Sequence, residues 1–200
     1  MKTKMIRVAV VGTPGTGKSH FARRLATASP SAAIIEVNEI ARARRLFTGT
    51  DRYGTKTVDM KRLGAAVRAE LRKKRALGAG TVLVVGHLVP YIGLRFDLAV
   101  VTRCRLGVLL RRLKSRGYPK GKISDNMLCE AMDCVGSDMV GKAAEIYEIA
   151  TDKDSRVLAR YVQSLASNRR HKRPRLKEIN LMGEMYSMIS KGEFGFGAKS

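Results

Sequence analysis

A glycine-rich loop near the start of the chain constrains the fold more than any other segment. Residues 12–19 read Gly-Thr-Pro-Gly-Thr-Gly-Lys-Ser and match the phosphate-binding pattern G-x-x-x-x-G-K-[ST]. The loop follows the apolar run 8–11 and precedes a helix-like segment. Its glycines let backbone N–H groups surround phosphate oxygens, and the helix N-terminus adds partial positive charge. The sequence therefore predicts nucleotide binding.

Several residues of the loop have an expected part in binding ATP with Mg²⁺. Lys18 is expected to reach the β- and γ-phosphates, and the hydroxyl of Ser19 to bind Mg²⁺. The predicted ATP contacts of this segment are Gly12, Pro14, Gly15, Thr16, Gly17, Lys18, Ser19 and His20. The alternative is a glycine-rich turn without a ligand, which requires elements of the pattern to coincide by chance.

The length of 200 residues and the hydrophobic content of 44% bound the domain organisation. A chain of this size buries one substantial core, which fits one α/β domain with a modest appendage. Its apolar runs are far shorter than the roughly 20 residues of a membrane span. Cys104, Cys129 and Cys134 lack metal-binding spacing, so we expect them simply to pack. We expect no membrane partner and a cytoplasmic location, or a nuclear one in a eukaryote.

Strand-like and helix-like segments alternate along the chain. Strands are predicted at 6–11, 32–37, 81–85, 98–102 and 147–150. Helices are predicted at 17–28, 40–46, 60–77, 106–116, 124–146 and 154–166. The alternation predicts an α/β fold with a parallel sheet covered on both faces. Ligands of such sheets lie at the carboxyl ends of the strands, where Glu39, His87 and Arg103 fall.

Basic residues are in large excess, with 39 lysines and arginines against 17 aspartates and glutamates. The formal net charge of +22 exceeds what a nucleotide pocket requires and favours a polyanionic partner. The densest basic block, residues 98–124, contains no acidic residue. The alternative to contact with a polyanion is that a given basic residue simply lies on a helix surface in contact with solvent. Residues 168–200 read as a basic extension with little core of its own, beside a domain at 1–167.

The phosphate loop alone does not determine the reaction, because kinases, GTPases and motor ATPases share it. The chain has no Asn-Lys-x-Asp type loop after a late strand, which argues against a switch GTPase. The segment 113–118 followed by Lys122 has the character of the arginine-rich lid of small nucleotide kinases. Arg103 and Arg116 are the electrostatic candidates, because transferred phosphoryl oxygens need fixed positive charge in line with Lys18. We expect Arg103 to contact ATP.

Further short motifs follow the phosphate loop in an order found in one kinase family. They are Val58-Asp59, Gly86-His87-Leu88, Val101-Thr102-Arg103, Arg116-Gly117-Tyr118, Lys122-Ile123 and Asp125-Asn126. Over about residues 6–165 the chain resembles the adenylate kinase isoenzyme 6 family, whose members are also known as ATPases of small-ribosomal-subunit assembly. The resemblance implies a P-loop nucleoside-kinase fold with a five-stranded parallel core, a monophosphate-binding region at 37–71 and a lid at 116–124.

The resemblance also implies a function and catalytic residues. It implies ATP with Mg²⁺, phosphoryl transfer to AMP or another nucleoside monophosphate, ATP hydrolysis, and association with a small-subunit ribosomal protein and ribosomal RNA. His87 falls on the family's histidine, where it is expected to position the attacking water or the acceptor. Without the resemblance, a lone histidine after a strand is more often structural. The expected catalytic residues are Lys18, His87 and Arg116.

Three residues are expected on the acceptor side of the site. Arg42 is expected to contact the monophosphate. Asp59 has the support of the resemblance, although by itself it reads as a helix cap. Glu39 is expected to orient the acceptor. Alternatively, Glu39 is simply an acid at a helix N-terminus, where the helix dipole favours negative charge.

The chain departs from the family pattern at Val85. Family members usually carry aspartate there, in an Asp-x-His element that helps to hold Mg²⁺ and water, whereas this chain reads Val85-Gly86-His87. Losing such an acid commonly weakens metal affinity or activity about 10- to 100-fold, so we expect slow turnover unless Glu39 partly compensates. The alternative to a working kinase is a catalytically weak, nucleotide-gated factor that binds RNA or a ribosomal protein.

Overall fold

The computed structural model describes residues 5–29, 31–150, 152–167, 173–176 and 179–193. The strands in these ranges are β1 (Ile6–Val11), β2 (Ala32–Glu36), β3 (Phe47–Thr50), β4 (Lys56–Val58), β5 (Thr81–Val85), β6 (Leu98–Thr102) and β7 (Ile146–Ile149). The α-helices are α1 (Lys18–Ala28), α2 (Val37–Ala43), α3 (Met60–Ala76), α4 (Leu106–Ser115), α5 (Lys120–Ala131), α6 (Cys134–Ser137), α7 (Asp152–Ala166) and α8 (Met182–Ser190).

The central sheet contains five strands in the order β2-β5-β1-β6-β7. All four pairings between neighbours are parallel. Every residue of β5 and β6 is buried, which explains their continuous apolar sequences, because both faces of a parallel sheet are covered. The predicted α/β class and five-stranded parallel sheet are confirmed.

Helices cover both faces of the sheet. Side chains alternate along each strand, so Val8 and Val10 face one way while Ala9 and Val11 face the other. On the first face the strands pack against α1 and α7, and on the second against α2 and α3. A third apolar cluster lies among α4, α5 and α8. The phosphate loop enters α1, so the packing of α1 on the sheet fixes the position of the loop.

Two predicted helices differ from the structure. The helix predicted at 40–46 begins three residues earlier, as α2, and the polar stretch after it forms the hairpin of β3 and β4. The single helix predicted at 124–146 is wrong, because α5 ends at Ala131. Asp133 then adopts a left-handed conformation with φ of +51°, and its carboxylate accepts a hydrogen bond from the N–H of Gly136. This left-handed cap separates α5 from the short α6.

Part of the C-terminal extension packs on the domain. Leu181, Met185 and Met188 are buried in the third apolar cluster, and the carboxylate of Glu184 accepts a hydrogen bond from the N–H of Gly107. Residues 179–193 therefore pack on α4 and α5 and share the core of the domain. The basic run 168–172 and the glycine-rich end 194–200 lie outside the described residues.

Candidate nucleotide-binding and phosphoryl-transfer site

The phosphate loop lies at the carboxyl end of β1 and leads directly into α1. Gly12, Gly15 and Gly17 have φ angles of +141°, +99° and +105°, which favour glycine. Gly12 also has no room for a side chain, because an added Cβ would lie 2.5 Å from the carbonyl oxygen of Thr102. The predicted strand–loop–helix context is confirmed, and the conformation of the loop requires its glycines.

Buried hydroxyl groups hold the loop from inside. Thr16 Oγ1 donates to the carbonyl oxygen of Thr13 at 2.9 Å and lies 2.7 Å from Thr102 Oγ1. Thr102 Oγ1 in turn reaches the carbonyl oxygen of Val11 at 3.1 Å. The side chain of Thr16 thus maintains the shape of the loop.

Lys18 folds back over the loop. Its Nζ donates to the carbonyl oxygens of Gly12 and Thr13 at 2.8 and 2.9 Å. Burial lowers the pKa of Lys18 to about 8, with smaller contributions from the charges of Glu130, which raises it, and Arg116, which lowers it. The ammonium group is therefore charged at pH 7, and phosphate oxygens can replace its two carbonyl partners.

Ser19 and His20 follow Lys18 in the first turn of α1. The side chain of Ser19 is half-buried, and its hydroxyl has no hydrogen-bond partner among the described residues. This oxygen is the kind of hard ligand that Mg²⁺ prefers. His20 is exposed, and its contact with ATP stays a prediction.

A cavity of about 1290 Å³ opens beside the phosphate loop. Segments that follow β1, β2 and β5 form its walls, together with the β3–β4 hairpin and α5. Its charged lining residues are Arg42, Arg45, Asp51, Lys56 and Lys122, and Pro14 and His87 also line it. The excess of basic over acidic side chains suits an anionic ligand next to the loop.

His87 lies in the wall of this cavity, two residues after β5. Burial lowers its pKa to about 4, with smaller contributions in the same direction from the positive charges of Lys18 and Lys122. The imidazole is therefore neutral at pH 7, and one ring nitrogen can accept a hydrogen bond or a proton. Its position fits a group that orients an acceptor or a water molecule.

The other predicted acceptor residues divide between the cavity wall and its surroundings. Arg42 lies in the wall. Glu39 is exposed in the first turn of α2, outside the residues that line the cavity. Asp59 caps α3, because its carboxylate accepts a hydrogen bond from the N–H of Arg62 at 3.0 Å. The geometry supports the helix-cap interpretation of Asp59 and leaves Arg42 as the best placed of the three.

The predicted lid meets the monophosphate-binding region across the cavity. Lys122 Nζ donates to Thr55 Oγ1 at 2.6 Å. The carboxylate of Asp125 accepts hydrogen bonds from Arg52 at 2.6 Å and from the hydroxyl of Tyr53 at 2.8 Å. We call these bonds the hairpin–lid contact, since they join the loop between β3 and β4 to the start of α5. The contact encloses one side of the cavity.

Two arginines of α4 and its C-terminal cap approach the phosphate loop. Arg116 is exposed at the end of α4, and its charge lowers the pKa of Lys18. Arg112 Nη1 donates to the carbonyl oxygen of Gly15 at 2.9 Å. Arg112 is not among the site residues predicted from the sequence, although its i, i+4 spacing from Arg116 indicates a shared helix face.

Arg103 lies instead in a buried ion-pair cluster with 1% of its side chain exposed. Its Nε donates to the carboxylate of Glu130 at 3.2 Å, and its Nη1 to that of Glu148 at 2.8 Å. Its Nη2 donates to the backbone oxygen of Glu130 at 2.7 Å, and Asp133 lies 3.2 Å from Nη1. All three nitrogens are engaged within the protein, so this geometry does not support the predicted contact between Arg103 and ATP.

The parallel sheet, the phosphate loop and the adjoining helix define a P-loop kinase fold. The family model described as AAA domain matches residues 8–133. A protein of Natronomonas pharaonis named "Putative adenylate kinase" is 35% identical over 153 residues, which cover 75% of this chain and 83% of that protein. A protein of the same name from Archaeoglobus fulgidus is 30% identical over 187 residues, 92% of this chain and 96% of that protein. The chain belongs to this adenylate kinase-like family of P-loop proteins.

A comparison with a solved structure supports the P-loop kinase fold. TT1252 from Thermus thermophilus matches 84% of this chain and 99% of its own length, with a TM-score of 0.51. The two sequences are 16% identical, so the likeness concerns the fold alone.

Proposed function

We propose that this protein is an adenylate kinase of the isoenzyme 6 type, which transfers the γ-phosphoryl group of ATP to AMP or another nucleoside monophosphate and also hydrolyses ATP. The observation that carries the proposal is the basic cavity that opens directly beside the phosphate loop. A kinase needs two anionic ligands held next to each other, and these two features provide a place for each. Membership of the adenylate kinase-like family supports the same reaction.

The donor side of the proposed reaction consists of the phosphate loop and the residues around it. The loop glycines hold the phosphates through backbone N–H groups, and Lys18 exchanges its carbonyl partners for phosphate oxygens. The hydroxyl of Ser19 suits Mg²⁺, which neutralises charge on the phosphates when it is bound. Arg112 and Arg116 are near enough to the loop to add fixed positive charge.

The acceptor side consists of the basic cavity. Arg42 of α2 and Lys122 of α5 both line the cavity and attract the monophosphate, and neutral His87 orients the acceptor or a water molecule. The hairpin–lid contact excludes water from one side, which favours transfer over hydrolysis. Lys18 and Arg116 stabilise the charge of the transferred group.

The test of this function is ATP turnover with AMP present and absent, in the native chain and in Lys18→Ala. We expect ADP formation that depends on AMP, and a loss of at least about 100-fold in Lys18→Ala because a main charge on the phosphates is removed. Lys73→Ala, at an exposed position of α3, is the matched control and should retain native turnover. An unaffected rate in Lys18→Ala would refute the proposed site.

The alternative function is that of an assembly factor whose nucleotide state controls its binding to ribosomal RNA or a small-subunit ribosomal protein. The net charge of +22 and the valine at position 85 favour it. It predicts RNA affinity that falls steeply with salt, because each neutralised phosphate releases counterions. A protein that contacts several phosphates loses about 10³- to 10⁵-fold in RNA affinity between 50 and 200 mM salt. An RNA affinity that stays constant over this range would argue against the alternative function.

Within the described ranges, no helix combines the length and apolar character needed to cross a membrane.

A further inference from the structure

The carboxyl ends of the five parallel strands meet at the edge of the sheet that carries the phosphate loop. Their last residues are Val11, Glu36, Val85, Thr102 and Ile149. Glu36 is the one acid in this set. P-loop enzymes hold Mg²⁺ with the serine or threonine of the loop and with a carboxylate from a second segment. The strand ends therefore leave Glu36 as the candidate for the second ligand.

Glu36 lies on the same face of the sheet as α1. It pairs in register with Val85, the last residue of the neighbouring strand. Ile34, two residues earlier in β2, packs with Val85 in the apolar cluster under α1. Because side chains on one strand alternate, Glu36 shares this face with Ile34. Ser19 lies in the first turn of α1, so Ser19 and Glu36 belong to the same face and the same edge of the sheet.

The carboxylate of Glu36 makes no hydrogen bond or ion pair with the described part of the protein. The residue precedes α2 at the capping position, yet its side chain makes no capping hydrogen bond. Across the described residues its carboxylate has neither a hydrogen-bond partner nor an ion-pair partner, although it is half-buried. Its negative charge acts on Lys18 by raising the pKa of that ammonium group. This carboxylate is therefore available to bind a cation.

We propose that Glu36 supplies the carboxylate of the Mg²⁺ site, together with the hydroxyl of Ser19. This inference rests on the proposed kinase function and deepens it. Mg²⁺ is usually bound by one or two carboxylates, substrate phosphates and several waters, which fits this donor set. The acid that is absent at Val85 is then provided by the adjacent strand, and the compensation expected of Glu39 belongs to Glu36.

The test is metal affinity, with Mn²⁺ as the probe and its electron paramagnetic resonance signal as the readout. Native protein and Glu36→Gln are titrated with Mn²⁺ in the presence of a non-hydrolysable ATP analogue. We expect Glu36→Gln to bind Mn²⁺ about 10- to 100-fold more weakly. Binding of the analogue without metal should stay within twofold. Glu70→Gln is the matched control, because Glu70 lies on α3, which covers the opposite face.

The outcomes separate this inference from the proposed function. Unchanged Mn²⁺ affinity in Glu36→Gln, with the analogue still bound, would overturn the role of Glu36 alone. A native chain that does not bind the analogue would overturn the kinase function and this inference together. Adding Val85→Asp to Glu36→Gln should restore Mn²⁺ affinity, since it returns a carboxylate to the neighbouring strand end.

A measurement on the native chain keeps the inference testable if the Glu36 variant does not fold. Bound Mn²⁺ broadens the carbon resonances of nearby carboxyl groups in protein labelled with ¹³C-glutamate. We expect the Glu36 signal to vanish on addition of Mn²⁺ with the ATP analogue, while the Glu70 signal persists. Equal retention of both signals would overturn the assignment.

Discussion

At the scale of single residues, the site is organised around a lysine that already has partners before a nucleotide binds. Lys18 donates to two carbonyl oxygens of its own loop, and its burial lowers its pKa. Gly12 and Gly15 make this arrangement possible, because added Cβ atoms would lie 2.5 Å from the Thr102 oxygen and 2.8 Å from a Leu109 methyl carbon. The residues of the loop therefore set both its shape and the charge that it offers to phosphate.

The lowered pKa of Lys18 leads to a pH-dependent prediction. The ammonium group titrates near pH 8 in the free protein, and bound phosphates raise its pKa again because they favour the charged form. ATP binding should thus take up a proton near pH 8, and ATP affinity should fall as the pH rises through about 8. Calorimetry in buffers of different ionisation enthalpy measures this proton. Lys18 is already charged at pH 6, so proton uptake on ATP binding should be smaller at pH 6 than at pH 8.5. Equal proton uptake at the two pH values would contradict the prediction.

Single residues also show where sequence reasoning succeeds and where it fails. The phosphate loop was predictable because its motif dictates one backbone path. The buried ion pairs of Arg103 could not be predicted, because its acidic partners Glu130 and Glu148 are distant in sequence and meet it only in the folded chain. Glu36 was overlooked because its register beside Val85 depends on which strands become neighbours.

At the scale of elements, the hairpin–lid contact joins two segments that are far apart in the sequence. Arg52 and Tyr53 come from the loop after β3, whereas Asp125 comes from α5. The side chains of Arg52 and Asp125 are 71% and 51% exposed, so the ion pair contributes little to stability. Its effect should therefore be on the closure of the cavity.

Asp125→Asn should weaken this contact without unfolding the protein. We expect the free energy of unfolding to change by less than about 1 kcal/mol, as for other exposed pairs. The KM for AMP should rise severalfold, because the lid and the hairpin close less often over the acceptor. Steady-state kinetics and urea unfolding measure both quantities. Glu70→Gln breaks the ion pair between Arg44 and Glu70 of α3 and should leave the KM for AMP unchanged. An equal rise of the KM in both variants would contradict a role of the hairpin–lid contact in closing the cavity.

The elements were predictable to different extents for a physical reason. Strands buried on both faces carry continuous apolar runs, and long amphipathic helices carry a clear period, so β5, β6 and α3 were placed nearly to the residue. The hairpin of β3 and β4 is short and mostly exposed, which leaves no alternation to detect. The break after α5 depends on one left-handed aspartate, Asp133, in a sequence that otherwise favours a helix.

At the scale of the whole molecule, the C-terminal helix completes the core that supports the lid. The apolar side of α8 packs with Leu106, Leu109 and Leu113 of α4 and with Met127 of α5. The predicted lid at 116–124 comprises the turn between these two helices and the first residues of α5. The packing of α8 could not be predicted from the sequence, because the apolar segment is short and lies between a basic stretch and a glycine-rich stretch.

Met185→Ala should test this packing, because Met185 is 1% exposed. We expect the free energy of unfolding to fall by about 2–5 kcal/mol, the usual cost of removing a buried methionine side chain. The neighbouring Tyr186 is 65% exposed, so Tyr186→Ala should change stability by less than about 0.5 kcal/mol. Urea unfolding of both variants measures the difference. Similar stabilities of the two variants would show that α8 does not belong to the core.

The position of α8 also bears on the order in which the protein matures during synthesis. Chains emerge from the ribosome with their N-terminal segments first. The phosphate loop at 12–19 emerges before α8, the helix that completes the lid-supporting core and ends at Ser190. A growing chain therefore exposes its phosphate-binding residues before the helix that supports the lid has emerged.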